Sequence, residues 1–326
     1  MGEFLEIAKV MVQPTMKLLD MCGGAIGTMY QPRHMRKMTD AEVYRIKQLG
    51  NAISETDSLP IAYDNGEISM NTFNLEDFAK RAELRAKYQM LREQKNIESV
   101  VGKAYQELLD APEVPSDPVD EDWTNRFFNI VKEINTEEMQ HIWSKILAGE
   151  ITNPGSFSMR TLETIRNITR DEAASFQRIL PCVVHSGSDM FITSSNDVYE
   201  KYGISYADIL QLDECGLMVS SGTLTLTQTI QEENRIFIWT DERAMISSAS
   251  PEQPRKISYG IHTLTRAGKE LFNILNHMPN NDYFTDFAEQ IFNANKTATI
   301  SIHKINSIED NTANYVREAL RIFKHT

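Results

Sequence analysis

Ser205-Tyr206-Ala207-Asp208-Ile209-Leu210-Gln211-Leu212-Asp213-Glu214-Cys215-Gly216-Leu217-Met218 reads as a helix that stops at a glycine and runs into a strand. Alternating segments follow at 223–229, 235–240 and 256–263. The last leads into Leu264-Thr265-Arg266-Ala267-Gly268-Lys269-Glu270-Leu271, where a hydroxyl residue opens another helix. A helix ending in Gly-Leu, a strand hairpin and a strand entering Leu-Thr-x-x-Gly-x-x-Leu together predict a winged-helix-like α/β domain over residues 188–280. Residues 281–326 read as a helix, a strand at 298–305 and a last helix at 309–323. The expected fold is mainly α with a C-terminal α+β part: long N-terminal helices, a central helical bundle and the winged-helix-like domain.

Towards the amino terminus, residues 119–187 predict the bundle. Trp123, Phe127, Ile130 and Ile134 mark one helix, and Met139, Ile142, Trp143, Ile146 and Leu147 the next. Two shorter helices follow around Leu162 and Phe176. Residues 111–118 hold Pro112, Pro115 and Pro118, which end a helix and make a stiff acidic linker. Residues 1–110 form an N-terminal helical segment, with a helix predicted at 39–54 and a short hairpin at 59–70.

The long helix of that segment runs from Asn74 towards Asp110. Ala79, Ala82, Ala86, Met90, Ile97, Val101, Ala104 and Leu108 lie along one seam at helical spacing, and small side chains there suit close helix pairing. A second stripe carries Arg81, Arg85, Arg92 and Lys95, read first as a solvated face and second as a contact for nucleic acid or lipid. At the start of the chain, Gly23, Gly24 and Gly27 stand before the basic cluster Arg33, Arg36 and Lys37. The spacing of Gly23 and Gly27 permits close helix contact, and the neighbouring cations suit an anionic membrane surface. Packing on a sister subunit or on the chain's own helices is the preferred reading, peripheral membrane contact the alternative.

Composition narrows the function. The chain has 326 residues, 41% apolar and 24% charged, and a net charge of −13. That acidity disfavours a protein that grips nucleic acid over a broad face. Residues 196–280 carry seven Lys plus Arg against eleven acids, so the helix nearest the wing would repel phosphate. No stretch is long and apolar enough for a membrane span, and the start lacks a secretory pattern, so a cytoplasmic protein is expected. Cys22, Cys182 and Cys215 lack metal or disulfide spacing and read as small buried residues. No metal and no cofactor is expected.

Chemistry-bearing motifs are sparse. Glu138-x-x-His141 has the spacing of a di-iron ligand pair, but no second pair accompanies it. Phosphate loops, dinucleotide fingerprints and nucleophile elbows are absent. Arg178-x(6)-His185 resembles the loose pattern of helical ribonucleases called HEPN. That likeness implies an Arg178 that steadies a scissile phosphate and a His185 that moves protons.

Longer motifs carry a broader likeness. Asn96-Ile97-Glu98-Ser99-Val100-Val101-x-x-Ala104 and Trp143-Ser144-Lys145-Ile146-Leu147-Ala148-Gly149-Glu150-Ile151-x-x-Pro154-Gly155-Ser156-Phe157-Ser158-x-Arg160-Thr161-Leu162 resemble a bacterial family catalogued as domain of unknown function 2806. Gly27 to Arg33 and Leu264 to Leu271 are similar to it as well. A looser likeness links the layout to Abi-alpha-type phage abortive-infection proteins and implies, by analogy, a place in antiviral defence. The function expected is therefore a non-enzymatic interaction protein, a homo-oligomer with a protein partner from a defence operon or a phage. The alternatives are a ribonuclease using Arg178 and His185, and a DNA-binding regulator working through the winged-helix-like domain.

Overall fold

A computed structural model describes residues 11–26, 61–64, 67–70, 75–222, 224–230, 236–248, 255–295, 298–309 and 312–324. It divides into two units, Met1–Ser156 and Phe157–Thr326. The first runs β1 (Met11–Val12), α1 (Pro14–Ile26), β2 (Ile61–Asp64), β3 (Glu67–Met70), α2 (Leu75–Leu108), β4 (Val114–Pro115), α3 (Glu121–Val131) and α4 (Glu137–Thr152). The predicted helix at 39–54 lies outside the described residues.

Local chemistry sets these boundaries. Pro14 occupies the first position of α1, where no helical N–H partner is needed. Asp120 caps α3, its Oδ1 accepting the Trp123 amide at 2.8 Å. The face α3 buries is aromatic: Trp123 stacks on Phe127 at 5.1 Å, and Phe127 meets the edge of Trp143 from α4 at 5.6 Å. Each such ring contributes about 1.5–3 kcal/mol by leaving water. The C-terminal part of α2 sinks Val100, Val101, Ala104 and Leu108 into this core, against α1, α3 and α4. Asn96 secures the α3–α4 turn, donating from Nδ2 to the Lys132 carbonyl at 2.9 Å. Gln140 helps by donating to the Ile134 carbonyl at 3.0 Å. The proline-rich segment is tied in too: β4 pairs with β1, Val114 opposite Val12.

The second unit runs α5 (Met159–Arg166), α6 (Arg170–Ile179), β5 (Val184–Ser186), β6 (Asp189–Thr193), α7 (Asn196–Tyr199), α8 (Tyr206–Glu214), β7 (Met218–Val219), β8 (Thr225–Ile230), β9 (Ile236–Trp239), β10 (Arg243–Ser248), β11 (Arg255–Leu264), α9 (Arg266–Phe272), α10 (Asn281–Ala294), β12 (Thr299–Glu309) and β13 (Thr312–Phe323). Its centre is a nine-stranded sheet in the order β13-β12-β10-β9-β5-β6-β11-β7, with β8 also on β11. Every pairing in it is antiparallel. Helix α10 packs on this sheet through Tyr283, Phe284, Phe287 and Ile291. Phe191, Tyr259 and Phe287 form an aromatic knot with centroids 5.8–6.3 Å apart. The Tyr283 hydroxyl accepts the Thr193 amide at 2.8 Å.

This architecture corrects the mainly α expectation: the chain is α+β, with a large antiparallel sheet. The winged helix falls with it. Among the described residues its expected hairpin is not paired: β8 pairs with β11 while β9 pairs with β10 and touches β5. The predicted last helix is strand β13. Val316, Ala319, Leu320 and Phe323 have helical spacing, but pairing along β12 overrides that weak preference.

Candidate functional site

The 34 residues of α2 divide in two. From Asn96 onward one face is covered; before it, Ala82, Ala86, Arg85, Arg92 and Lys95 are exposed and Arg81 is half-buried. Met90 is 69% exposed and Tyr88 58%. The seam that sinks Val101, Ala104 and Leu108 thus continues, uncovered, through Ala86 and Ala82. Side-chain pairs within the helix brace this open half. Lys87 pairs with Glu83, and Gln89 donates to Glu93 at 2.9 Å. Ala79 lies in the same helix. Gly23 and Gly24 are in the last turns of α1, whereas Gly27, Arg33, Arg36 and Lys37 lie outside the described residues.

Arg178 and His185 join different clusters. Arg178, on α6, clasps Asp208 of α8 and donates to the Ser175 hydroxyl at 2.9 Å. Ser175 in turn donates to Asp208 at 2.7 Å. Asp208 is also the third residue of α8, where it forms a capping box with Ser205. Burial alone would raise the Asp208 carboxyl, but hydrogen bonds from Arg178, Ser205 and Ser175 hold it well below the ordinary carboxylate range. The cluster is a charged staple between two helices. In the sequence Asp208 stands among the acids that repel phosphate, and Ser205-x-x-Asp208 also spells the cap.

His185 lies on β5, its ring stacked against Trp239 at 5.7 Å with the edge of Phe272 at 5.6 Å. Burial lowers its pKa, Asp241 pulls it up and His277 pushes it down. His277 packs on Phe272 at 4.1 Å and stands 3.8 Å from the Asp241 carboxylate. His277 and Asp241 are neighbours that no motif announced. Among the described residues Arg178 meets Ser175 and Asp208, whereas His185 meets Trp239 and Phe272. Among the described residues no group of His, Cys, Asp and Glu could hold a metal ion.

An open cleft of about 390 Å³ beside α1 is lined by Lys17, Asp20, Ser116, Glu121, Thr124 and Asn125, among others. Lys17 is only 8% exposed. Burial lowers its pKa, and Asp117 and Glu150 raise it. Glu150 also accepts the Gly155 amide at 2.5 Å, bracing the turn where Gly155 has φ +86°. The carboxylates nearby balance the Lys17 charge inside the protein. Burial pushes the Cys22 and Cys182 thiols up to about 12, which leaves them protonated and poor nucleophiles. No described helix is long and apolar enough to cross a membrane.

The fold is that of a two-unit α+β protein, with polar clusters that join helices in the second unit and a long helix with one exposed half in the first. The family described as "Protein of unknown function (DUF2806)" matches residues 80–288, more than half of the chain, and the chain belongs to that family. No curated protein and no solved structure matches it.

Proposed function

We propose that this is a non-enzymatic interaction protein that pairs with a second copy of itself through the first half of α2. The observation that carries the reading is the uncovered seam of Ala82, Ala86 and Met90, continuous with the buried residues Val101, Ala104 and Leu108. A bare helix half gains little in water from propensity alone and more from packing an apolar face. Small side chains let two equal helices approach closely.

Light scattering on the purified chain at micromolar concentration tests this. A dimer or larger assembly is expected, and an Ala86→Cys variant should crosslink between copies on oxidation. A strict monomer that does not crosslink ends the reading. The setting we favour is cytoplasmic bacterial defence against phage, on the strength of the looser sequence likeness alone. Protection of cells from phage by the intact chain, lost in Ala86→Arg, is the expected outcome. A ribonuclease reading needs Arg178 and His185 at one phosphate, and their separate partner sets give it no support. Unchanged protection by His185→Ala would remove it.

A further inference from the structure

Among the described residues, β13 is the outer strand of the nine-stranded sheet, paired with β12 on one side only. It is 12 residues long, about twice a typical strand. An outer strand presents a row of backbone N–H and C=O groups to which another strand can add. Leu320 and Ile322 are 58% and 62% exposed, beside a register shift between β12 and β13. Between them Arg321 lies over the Phe323 ring at 4.6 Å and reaches Glu289 at 3.5 Å. Arg317 is exposed on the same strand, Lys324 is exposed directly after it, and Lys304 is exposed on β12. Against these cations β13 carries one acid, Glu318, in a chain whose net charge is −13.

We propose that β13 receives an extended acidic segment of a partner protein, added as a further strand, with apolar residues to meet Leu320 and Ile322. Backbone pairing would supply affinity, and the alternate side chains selectivity. Charge decides between occupants. Two β13 edges from two copies would bring Arg317, Arg321 and Lys324 of each together, and like charges across a strand pair are destabilising. The same cations attract an acidic strand and quicken its approach. This inference does not depend on α2.

A labelled synthetic peptide of alternating Glu and Val is the probe, followed by fluorescence anisotropy with the full chain. It should bind, and the analogue with Lys in place of Glu should not. Affinity should fall about tenfold or more in Arg317→Glu with Lys324→Glu, in Leu320→Asp, and as salt rises. These side chains stand in solvent, and circular dichroism checks that the variants fold. A Glu-Val peptide N-methylated at alternate residues leaves the protein untouched and should lose binding, since it cannot donate to the edge. Equal binding of the Glu and Lys peptides, or of the N-methylated form, overturns the proposal. So does a dimer that Leu320→Asp dissolves, which would give the edge to a second copy.

Discussion

The two halves of α2 are built from similar residues and meet opposite surroundings. Ala104 has no exposed surface, among α1, α3 and α4, while Ala86, five turns earlier on the same seam, stands in water. Helical periodicity therefore says which residues share a face but not whether that face is covered. What covers the second half comes from far along the chain, at Trp123, Phe127 and Trp143, and nothing in residues 75–95 differs enough to announce its absence.

The contrast can be broken most sharply by one substitution made twice. Ala104→Arg places a cation where no water reaches and should cost more than about 4 kcal/mol, enough to unfold the first unit. Loss of the cooperative urea transition is the readout, and a variant as stable as the parent would contradict the described core. Next in size is Gly268→Ala in the second unit. A methyl there would sit 2.1 Å from the Leu217 carbonyl oxygen, a backbone atom that also accepts the Thr265 amide. A loss of about 3 kcal/mol is expected in denaturant unfolding. A loss below about 0.5 kcal/mol would mean that α9 and the residue before β7 do not meet as described.

Protons sharpen the same contrast between covered and bare. Burial lowers the pKa of both His262 and His185 in the folded chain. The unfolded chain, with histidines near 6.5, then takes up protons first as the solution acidifies. Their contribution to stability is complete above about pH 6.5 and is lost as the pH falls from there towards the folded values. Asp208 has the lowered carboxylate pKa, so its share survives until the pH drops below about 3.8. Urea midpoints at pH 7.5 and 5.5 should differ, with the acid sample weaker; equal midpoints would show that the two rings are not buried. Smallest in stability is Ala86→Arg, expected within about 0.5 kcal/mol of the parent at a concentration where the chain is monomeric. Its effect should appear in association alone, and a large loss of monomer stability would place Ala86 inside the core.

Legibility in the sequence follows this division between local and distant causes. Helices α3 to α6 were readable because caps and apolar stripes sit within one turn of each other, as with Asp120 and Trp123 or Thr169 and Glu172. The hairpin of β2 and β3 was readable from its turn. Strands β5, β6 and β10 were not, since each is only three to six residues long, too short for alternation to stand out, even though β5 and β6 form a hairpin with Ser186 opposite Asp189. Thr265 and Gly268 stand out in the sequence as a motif, and their reason is a cap, with the Thr265 hydroxyl accepting the Gly268 amide at 3.1 Å, and a close approach to Leu217. Of the residues singled out for chemistry, Arg178 became a staple and His185 a stacked ring. The uncovered face emerged only from what the fold leaves bare.

The ladder between β10 and β12 reaches past the span shared with the family. The matched segment stops at residue 288, inside α10, while Ala244, Met245 and Ile246 take their partners from Ser301, Ile302 and His303. Trimming a gene to the borders of the shared region would leave β10 with an orphaned side and half a helix to shield the sheet. The portion by which relatives are recognised is thus smaller than the portion that must be synthesised together for the sheet to close.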